Sequence, residues 1–507
     1  MPPLLHPLLF AGPGAALYPL LEARHGASKC TLPLLNRPLV AHALQALCTA
    51  GLREASLFVR AAEHESVKKA LGAVQLVGSE GLVAVQTHDG AAARGGADVF
   101  SVELLPLGPH DKASGVAAVE GEMRETETPG TAELVRWYGS LGRIQADLLI
   151  LPIDFLAPSS TILELISAHL NASAATEGAP SASVVLYERG AGEGLGKDRE
   201  KEVDTLTLRR SLLAHSPRVK LSTNMLDAHV YILAPEPLLQ LLQARHELTS
   251  LREHVLPLLA RTSWQTGLLE KALGAEQADK AAPAETEEDM SAKWRDEAVS
   301  RSTVLLVDAK ERLAAGAPAS AGKKTETKLR IQALVLRLAK EASSESGAAA
   351  KEGTEFVARA NTVPTFLECT RFLQRQQATP SSSFVLPYLP SSASTQASAQ
   401  VSPDTHLAAN VTLGERCAIK RSVIGAGCII GRGARLTGCV LFDGVEIGEN
   451  ARLENTIVAA RAKIGDRATL KDCDVAPDAI VAADASKKVE KILHEEEEGE
   501  EEGDGEQ

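Results

Sequence analysis

Residues 413–475, broken at every seventeenth position, read LGERCAIKRSVIGAGCI, IGRGARLTGCVLFDGVE, IGENARLENTIVAARAK and IGDRATLKDCDV. Leu413-Gly414, Ile430-Gly431, Ile447-Gly448 and Ile464-Gly465 open the four lines. Two further columns hold the same period: Ile419, Leu436, Leu453 and Leu470, then Ile424, Leu441, Val458 and Val475. Within one period the aliphatic positions step by six, five and six, which is the spacing of three short strands per turn of a triangular prism. The aliphatic side chains are expected inside the prism, each followed by a glycine at a corner where a Cβ would clash. Cys417, Ala434, Ala451 and Ala468 supply small residues where interior room is limited. Coils of this kind stack at the strand spacing of about 4.8 Å, so each bonds to the next. The strands of a sandwich have no reason to keep one period, and residues 405–483 are therefore assigned to a parallel β-helix that serves assembly. Its open ends need a cap, either another subunit or a predicted short helix from Ser486 to His494. Cys439 and Cys473 share a column and have no His or Asp at metal-ligand spacing, so they read as packed thiols.

Outward from the repeat, residues 379–404 are rich in Ser and Pro and read as a linker, and 354–378 as a connector. Residues 274–353 turn to Ala, Glu, Lys and Ser, the composition of a solvated insertion, interrupted by apolar stretches at Val304 to Val307 and Leu329 to Leu338. From residue 1 to 273, strand-length apolar runs alternate with helical segments, which predicts an α/β domain with a doubly wound, mostly parallel sheet. Expected strands are Leu8 to Ala11, Glu54 to Val59, Asp147 to Leu151, Ser183 to Tyr187 and Ala228 to Leu233. Expected helices are Leu39 to Ala50, Ser160 to Leu170 and Pro237 to Ala244.

Charge narrows the function classes. The net charge is −13, but residues 495–507 carry nine acidic side chains and no basic one, which leaves about −4 for the rest. No basic face for direct nucleic-acid binding is expected. There is no leader-like n-region or h-region at the start and no apolar run of membrane-spanning length. The seven cysteines include no C-x-x-C pair, so a cytosolic protein with reduced thiols is expected.

The first strand runs into Ala11-Gly12-Pro13-Gly14-Ala15-Ala16-Leu17-Tyr18-Pro19-Leu20, followed by Lys29. Backbone N–H groups of such a turn can face a phosphate, and Lys29 can pair with its charge. Asp154 ends the stretch Asp147 to Asp154 and reads either as a Mg²⁺ ligand or as a turn or cap residue before the helix at Ser160. His229, set among strand formers without an evident carboxylate, reads as a packed or surface histidine.

These features, with Leu32-Pro33-Leu34-Leu35-Asn36-Arg37-Pro38, resemble the sugar-nucleotide pyrophosphorylase (nucleotidyltransferase) domain. That resemblance implies a left-handed sense for the β-helix. In the family's active members an Arg precedes the position of Leu17; here Ala16 stands there, Pro13 stiffens a loop one residue shorter, and Ile153 replaces the Gly before Asp154. Loss of a cation that stabilises displaced pyrophosphate removes several kcal/mol of transition-state binding, on the order of 3.

A closer resemblance is to the gamma-subunit family of eukaryotic translation initiation factor 2B. It rests on Asp227-Ala228-His229-Val230-Tyr231, on Leu248-Thr249-Ser250-Leu251-Arg252 with Leu256-Pro257, on Arg359-Ala360-Asn361-Thr362, and on Ile419 to Gly425. It implies a non-catalytic subunit that pairs with epsilon and the other subunits and helps release GDP from initiation factor 2, the G protein. Epsilon continues into a helical exchange domain, whereas residues 484–507 here read as a short helix and an acidic tail. The resemblance leaves Gly12, Gly14, Lys29 and Asp154 as a vestigial or regulatory pocket, with no catalytic residue, metal, cofactor, nucleic acid or membrane assigned. The alternatives are an active GDP-mannose or ADP-glucose pyrophosphorylase using those four residues, or the regulatory subunit of one.

Overall fold

In the central strand Leu5–Phe10, Leu8 and Leu9 are both fully buried, one on each face of the sheet it belongs to. The computed structural model describes residues 5–21, 28–79, 81–89, 98–107, 129–144, 146–174, 180–188, 224–262, 265, 268–273, 329–337, 356–377, 384–387 and 399–493. The sheet has nine strands in the order Ile331–Leu336, Ala182–Glu188, Met225–Leu233, Asp147–Pro152, Leu5–Phe10, Glu54–Arg60, Val99–Leu107, Leu82–His88 and Gln75–Val77. Met225–Leu233 and the edge strand Gln75–Val77 run antiparallel to their neighbours, and the other pairings are parallel.

Burial on both faces explains the unbroken apolar run of Asp147–Pro152. Leu149 and Leu151 join the core under helices Leu39–Thr49, His64–Gly72 and Thr161–Ala174; Leu148 and Ile150 join the core under Thr131–Ser140 and Pro235–Ala244. All five expected strands and all three expected helices are present, with ends displaced by up to four residues. The apolar stretch at 329–338 forms a strand, Ile331–Leu336, added parallel to Ala182–Glu188 at the sheet edge. The stretch at 304–307 lies outside the described residues.

From Gln400 onward the chain winds through three parallel sheets of six, six and five two- or three-residue strands. From His406 onward the register of each described pairing is a step of 17, as Leu413↔Ile430, Ile419↔Leu436 and Ile424↔Leu441 show; the first pairing, Gln400↔Ala418, is a step of 18. Each of the three aliphatic columns lies at most 3% exposed inside the prism, and the Cys/Ala column is fully enclosed. Cys439 and Cys473 are both sealed there, with Sγ atoms directed at the carbonyls of Thr437 and Lys471.

The structure changes the physical reason for the glycine column. None of Gly414, Gly431, Gly448 and Gly465 has a left-handed backbone; a Cβ on each would instead stand 2.5–2.6 Å from an atom of the coil stacked above. Left-handed φ belongs to the three corners of each coil, as in the column Asn410, Gly427, Gly444, Arg461 and Asp478, with φ of 56–70°.

The expected helix from Ser486 to His494 is also corrected. Ser486–Lys488 and Lys491–Ile492 are strands of a sixth coil, paired with Thr469–Lys471 and Asp474–Val475. Val481, Ala485 and Ile492 continue the interior columns, and Ile492 is 5% exposed, so burial along the repeat prevails over helical propensity. At the other end, Gln400-Val401 already pairs with Ala418-Ile419, so the β-helix starts before residue 405.

One prism face is turned onto the α/β domain. Its outward residues Val423, Val440 and Ile457 are buried in the same core as Leu34, Leu35, Phe366 and Leu373. The helix Val363–Gln377 supplies Phe366, whose ring meets Phe442 edge-on at 6.1 Å. Asn36 Nδ2 donates to the Ile424 carbonyl at 2.9 Å. The connector is thus the seam between the two domains.

Candidate functional site

The central strand Leu5–Phe10 runs at its carboxyl end into the glycine turn. Gly12 and Gly14 have φ of +67° and +72°, conformations that L side chains rarely adopt. A Cβ on Gly14 would stand 2.6 Å from the end of the Leu21 side chain, which would have to shift, and 3.7 Å from the side chain of Lys29. The Gly14 carbonyl accepts from the Leu17 N–H at 2.9 Å and starts a short helical turn, Ala15–Leu17. Gly12 faces open space.

Lys29 opens a second turn, Lys29–Thr31, capped by Ser28, whose Oγ accepts from the Cys30 N–H at 3.2 Å and donates to Glu63 at 2.5 Å. This turns Lys29 inward, at 6% exposure, beneath the glycine loop. Asp154 follows the neighbouring strand Asp147–Pro152 and is fully buried. It does not cap the helix, which starts at Thr161.

The third member comes from the connector. Ala358–Arg359 pairs antiparallel with Phe155–Leu156, and the Ala360 N–H donates to the Asp154 carbonyl at 2.8 Å. That ladder aims the Arg359 guanidinium at the Asp154 carboxylate: Nε lies 3.0 Å and Nη2 2.9 Å from its oxygens. Lys29 Nζ lies 2.6 Å from Oδ2. Burial alone would raise the Asp154 carboxyl, but Lys29 and Arg359 overcome it and hold the group below the usual carboxylate range.

One carboxylate therefore carries two cations, and both of its oxygens accept charged donors. A Mg²⁺ ion needs free oxygen lone pairs and a net negative site, so these residues do not fit a divalent cation. Among the described residues, no group of three or more His, Cys, Asp or Glu is arranged to hold a metal ion. The structure brings Lys29, Asp154 and Gly14 together, and it leaves Gly12 at the rim. Arg359 was missed as a site residue: it lies 205 positions from Asp154, and its only signal was its place in the Arg359-Ala360-Asn361-Thr362 stretch.

His229 borders this cluster with a left-handed φ of 58°. Its N–H donates to Asp227 Oδ1 at 2.8 Å, and Asp227 Oδ2 accepts from the Tyr231 hydroxyl at 2.6 Å. Among the described residues no carboxylate is hydrogen-bonded to the imidazole. Burial, reinforced by Arg359, pulls it down to about 4, so it is neutral at pH 7. A second arrangement has the order of a hydrolytic triad: His169 Nδ1 stands 2.8 Å from Ser183 Oγ, and Nε2 stands 3.0 Å from Asp147. Ser183 and His169 are fully buried, and Gln332 donates to the same Oγ at 2.7 Å, so this trio ties the edge strand to the sheet.

The class defined by these features is a two-domain protein: a mixed α/β sheet with helices on both faces, then a left-handed parallel β-helix. Residues 386–486, about a fifth of the chain, match the family described as EIF2B subunit epsilon LbH domain, so this stretch is similar to that left-handed β-helix. That family description carries the hand of the helix. A comparison of the chain with curated proteins found no match. Among the described residues no helix is long and apolar enough to cross a membrane.

Proposed function

We propose that this chain is a non-catalytic subunit of the initiation factor 2B guanine-nucleotide exchange assembly, of the gamma kind. In that role it pairs with the epsilon subunit in the cytosol and promotes GDP release from initiation factor 2. The observation that carries the proposal is Asp154 held between Lys29 and Arg359, because nucleotidyl transfer would need that carboxylate free for a metal-bound triphosphate. Ala16, where the pyrophosphorylase pattern has Arg, points the same way. The family match over 386–486 supports the assembly, and the gamma assignment rests on the four sequence stretches.

Two measurements test it. Purified protein supplied with Mg²⁺, a nucleoside triphosphate and a panel of sugar phosphates is expected to release no pyrophosphate above background; release at enzymatic rates refutes the non-catalytic reading. Affinity purification from the source cell is expected to recover the other initiation factor 2B subunits, and recovery of an active pyrophosphorylase in their place refutes the assembly.

A further inference from the structure

Elsewhere on the β-helix, three stacked pairs of opposite charge are matched from coil to coil. Arg461 meets Asp478 and Arg467 meets Asp484 through paired contacts of 2.6–2.7 Å, and Lys463 meets Glu446 at 3.3 Å. The face built from Ala418–Lys420, Arg435–Thr437, Arg452–Glu454, Thr469–Lys471 and Ser486–Lys488 is instead weighted to one sign. Its outward side chains include five cations, Lys420, Arg435, Arg452, Lys471 and Lys488, against one carboxylate, Glu454, which pairs with Lys471 at 3.1 Å. Lys420, Arg435, Arg452 and Lys488 are exposed, and none has an ionic partner among the described residues. Arg435 and Arg452 are direct ladder partners, so two guanidinium groups stack one coil apart. Like charges set opposite one another in a sheet repel, and a carboxylate at either position would have relieved them.

The complementary charge lies in the same chain. Residues 495–507 carry nine carboxylates and no cation, and they follow directly on the last described coil, which ends at Leu493. Fully extended, 13 residues reach about 43 Å, whereas the four coil steps from Lys488 to Lys420 span about 19 Å. We propose that this basic face is an anion-docking surface whose resident occupant is the acidic run 495–507 of the same chain. A tethered segment acts at an effective concentration in the millimolar range, so contacts too weak to hold a free peptide still cover the face. The acidic run then screens the Arg435–Arg452 repulsion and must be displaced by any other acidic protein surface that docks there.

The test compares the full chain with one ending at His494, using a fluorescent polyglutamate peptide as probe at low salt. The truncated chain is expected to bind the probe about tenfold more tightly, the factor by which a tethered competitor at millimolar effective concentration weakens a site of sub-millimolar intrinsic affinity. Within the truncated chain, the double variant Arg435→Glu, Arg452→Glu is expected to abolish the gain. Equal affinity for full and truncated chains overturns the proposal. So does a gain that survives the double variant, which would place the run elsewhere. Zero-length carbodiimide coupling of the full chain supplies a readout independent of the probe: cross-links from the run to Lys420, Lys471 or Lys488 are expected within one molecule. Cross-links that form only between isotopically distinct copies make the occupant a second molecule and refute the intramolecular contact.

Discussion

Gly431→Ala separates two explanations of the repeat's glycine column. If the glycine served a left-handed corner, Ala would cost about 1 kcal/mol. The structure places its Cβ 2.6 Å from the Gly448 carbonyl carbon and 2.7 Å from the Glu449 nitrogen, where ordinary contact begins near 3.4 Å. The two coils must then part locally by about 0.8 Å, which stretches the bond from the Gly431 N–H to the Ile447 carbonyl from 2.8 Å to about 3.6 Å, beyond bonding range. Losing that bond between enclosed groups costs about 1–3 kcal/mol, and the overpacking adds about 1–3 kcal/mol. The reduced freedom of the unfolded chain returns about 0.4–1 kcal/mol. The net expectation is a loss of about 3 kcal/mol, or a fall of about 5–10 °C in melting temperature if the two domains unfold together through their shared core. Gly427→Ala is the internal control: its φ is +68°, nothing lies within 4 Å of its Cβ, and Arg461 holds the same corner two coils away. It is expected to cost about 1 kcal/mol. Urea unfolding followed by circular dichroism measures both. If Gly431→Ala loses no more stability than Gly427→Ala, the close-approach argument is wrong.

Three further outcomes are expected. Arg359→Ala leaves the buried Asp154 carboxylate with one cation and should destabilise by about 3 kcal/mol in equilibrium denaturation, with partial recovery in Arg359→Lys; an unchanged midpoint removes Arg359 from the site. Stability should fall on the acid side for two reasons. Asp154, held below its unfolded value, stabilises above about pH 4 and loses that contribution as pH drops through its folded value. His229 and His42, both lowered to about 4 chiefly by burial, take up protons first in the unfolded chain, so stability declines as pH falls from about 6.5 towards 4. His229→Asn keeps a residue that accepts positive φ and should flatten part of this second slope; an identical slope would show that His229 titrates normally. Val440→Asp places a charge in the seam between the domains, where Val440 is 4% exposed. It should speed amide exchange in Val363–Gln377 and in the facing coils by at least tenfold, while Val440→Ala costs about 2 kcal/mol; unchanged exchange in Val440→Asp would mean that the face is not packed in solution.

The period of the β-helix was legible because a repeat states one local solution many times over, so each interior column could be read without knowing what surrounds it. The α/β pattern was legible for a similar reason, since apolar runs of strand length reflect burial on both faces. The sixth coil was misread although Val481, Ala485 and Ile492 keep the columns, because Lys487 and Ala482 stand where the earlier coils have Leu or Ile and Gly. Ala482 is tolerated because, among the described residues, no coil stacks over it, so the close approach that excludes a Cβ at Gly431 does not arise there.

The sequence by itself determined which residues are interior and how often the chain turns, because hydrophobic periodicity and turn chemistry are local. It also marked Gly14, Lys29 and Asp154 as belonging together. Only the tertiary structure decided what that grouping means. Whether a buried carboxylate binds a metal or is neutralised depends on which cations reach it, and Arg359 reaches Asp154 across 205 residues through a two-residue ladder that no spacing rule encodes. The docking of Val423, Val440 and Ile457 is of the same kind. Those residues look like surplus apolar positions on an outer face until the α/β domain and the helix Val363–Gln377 remove them from water.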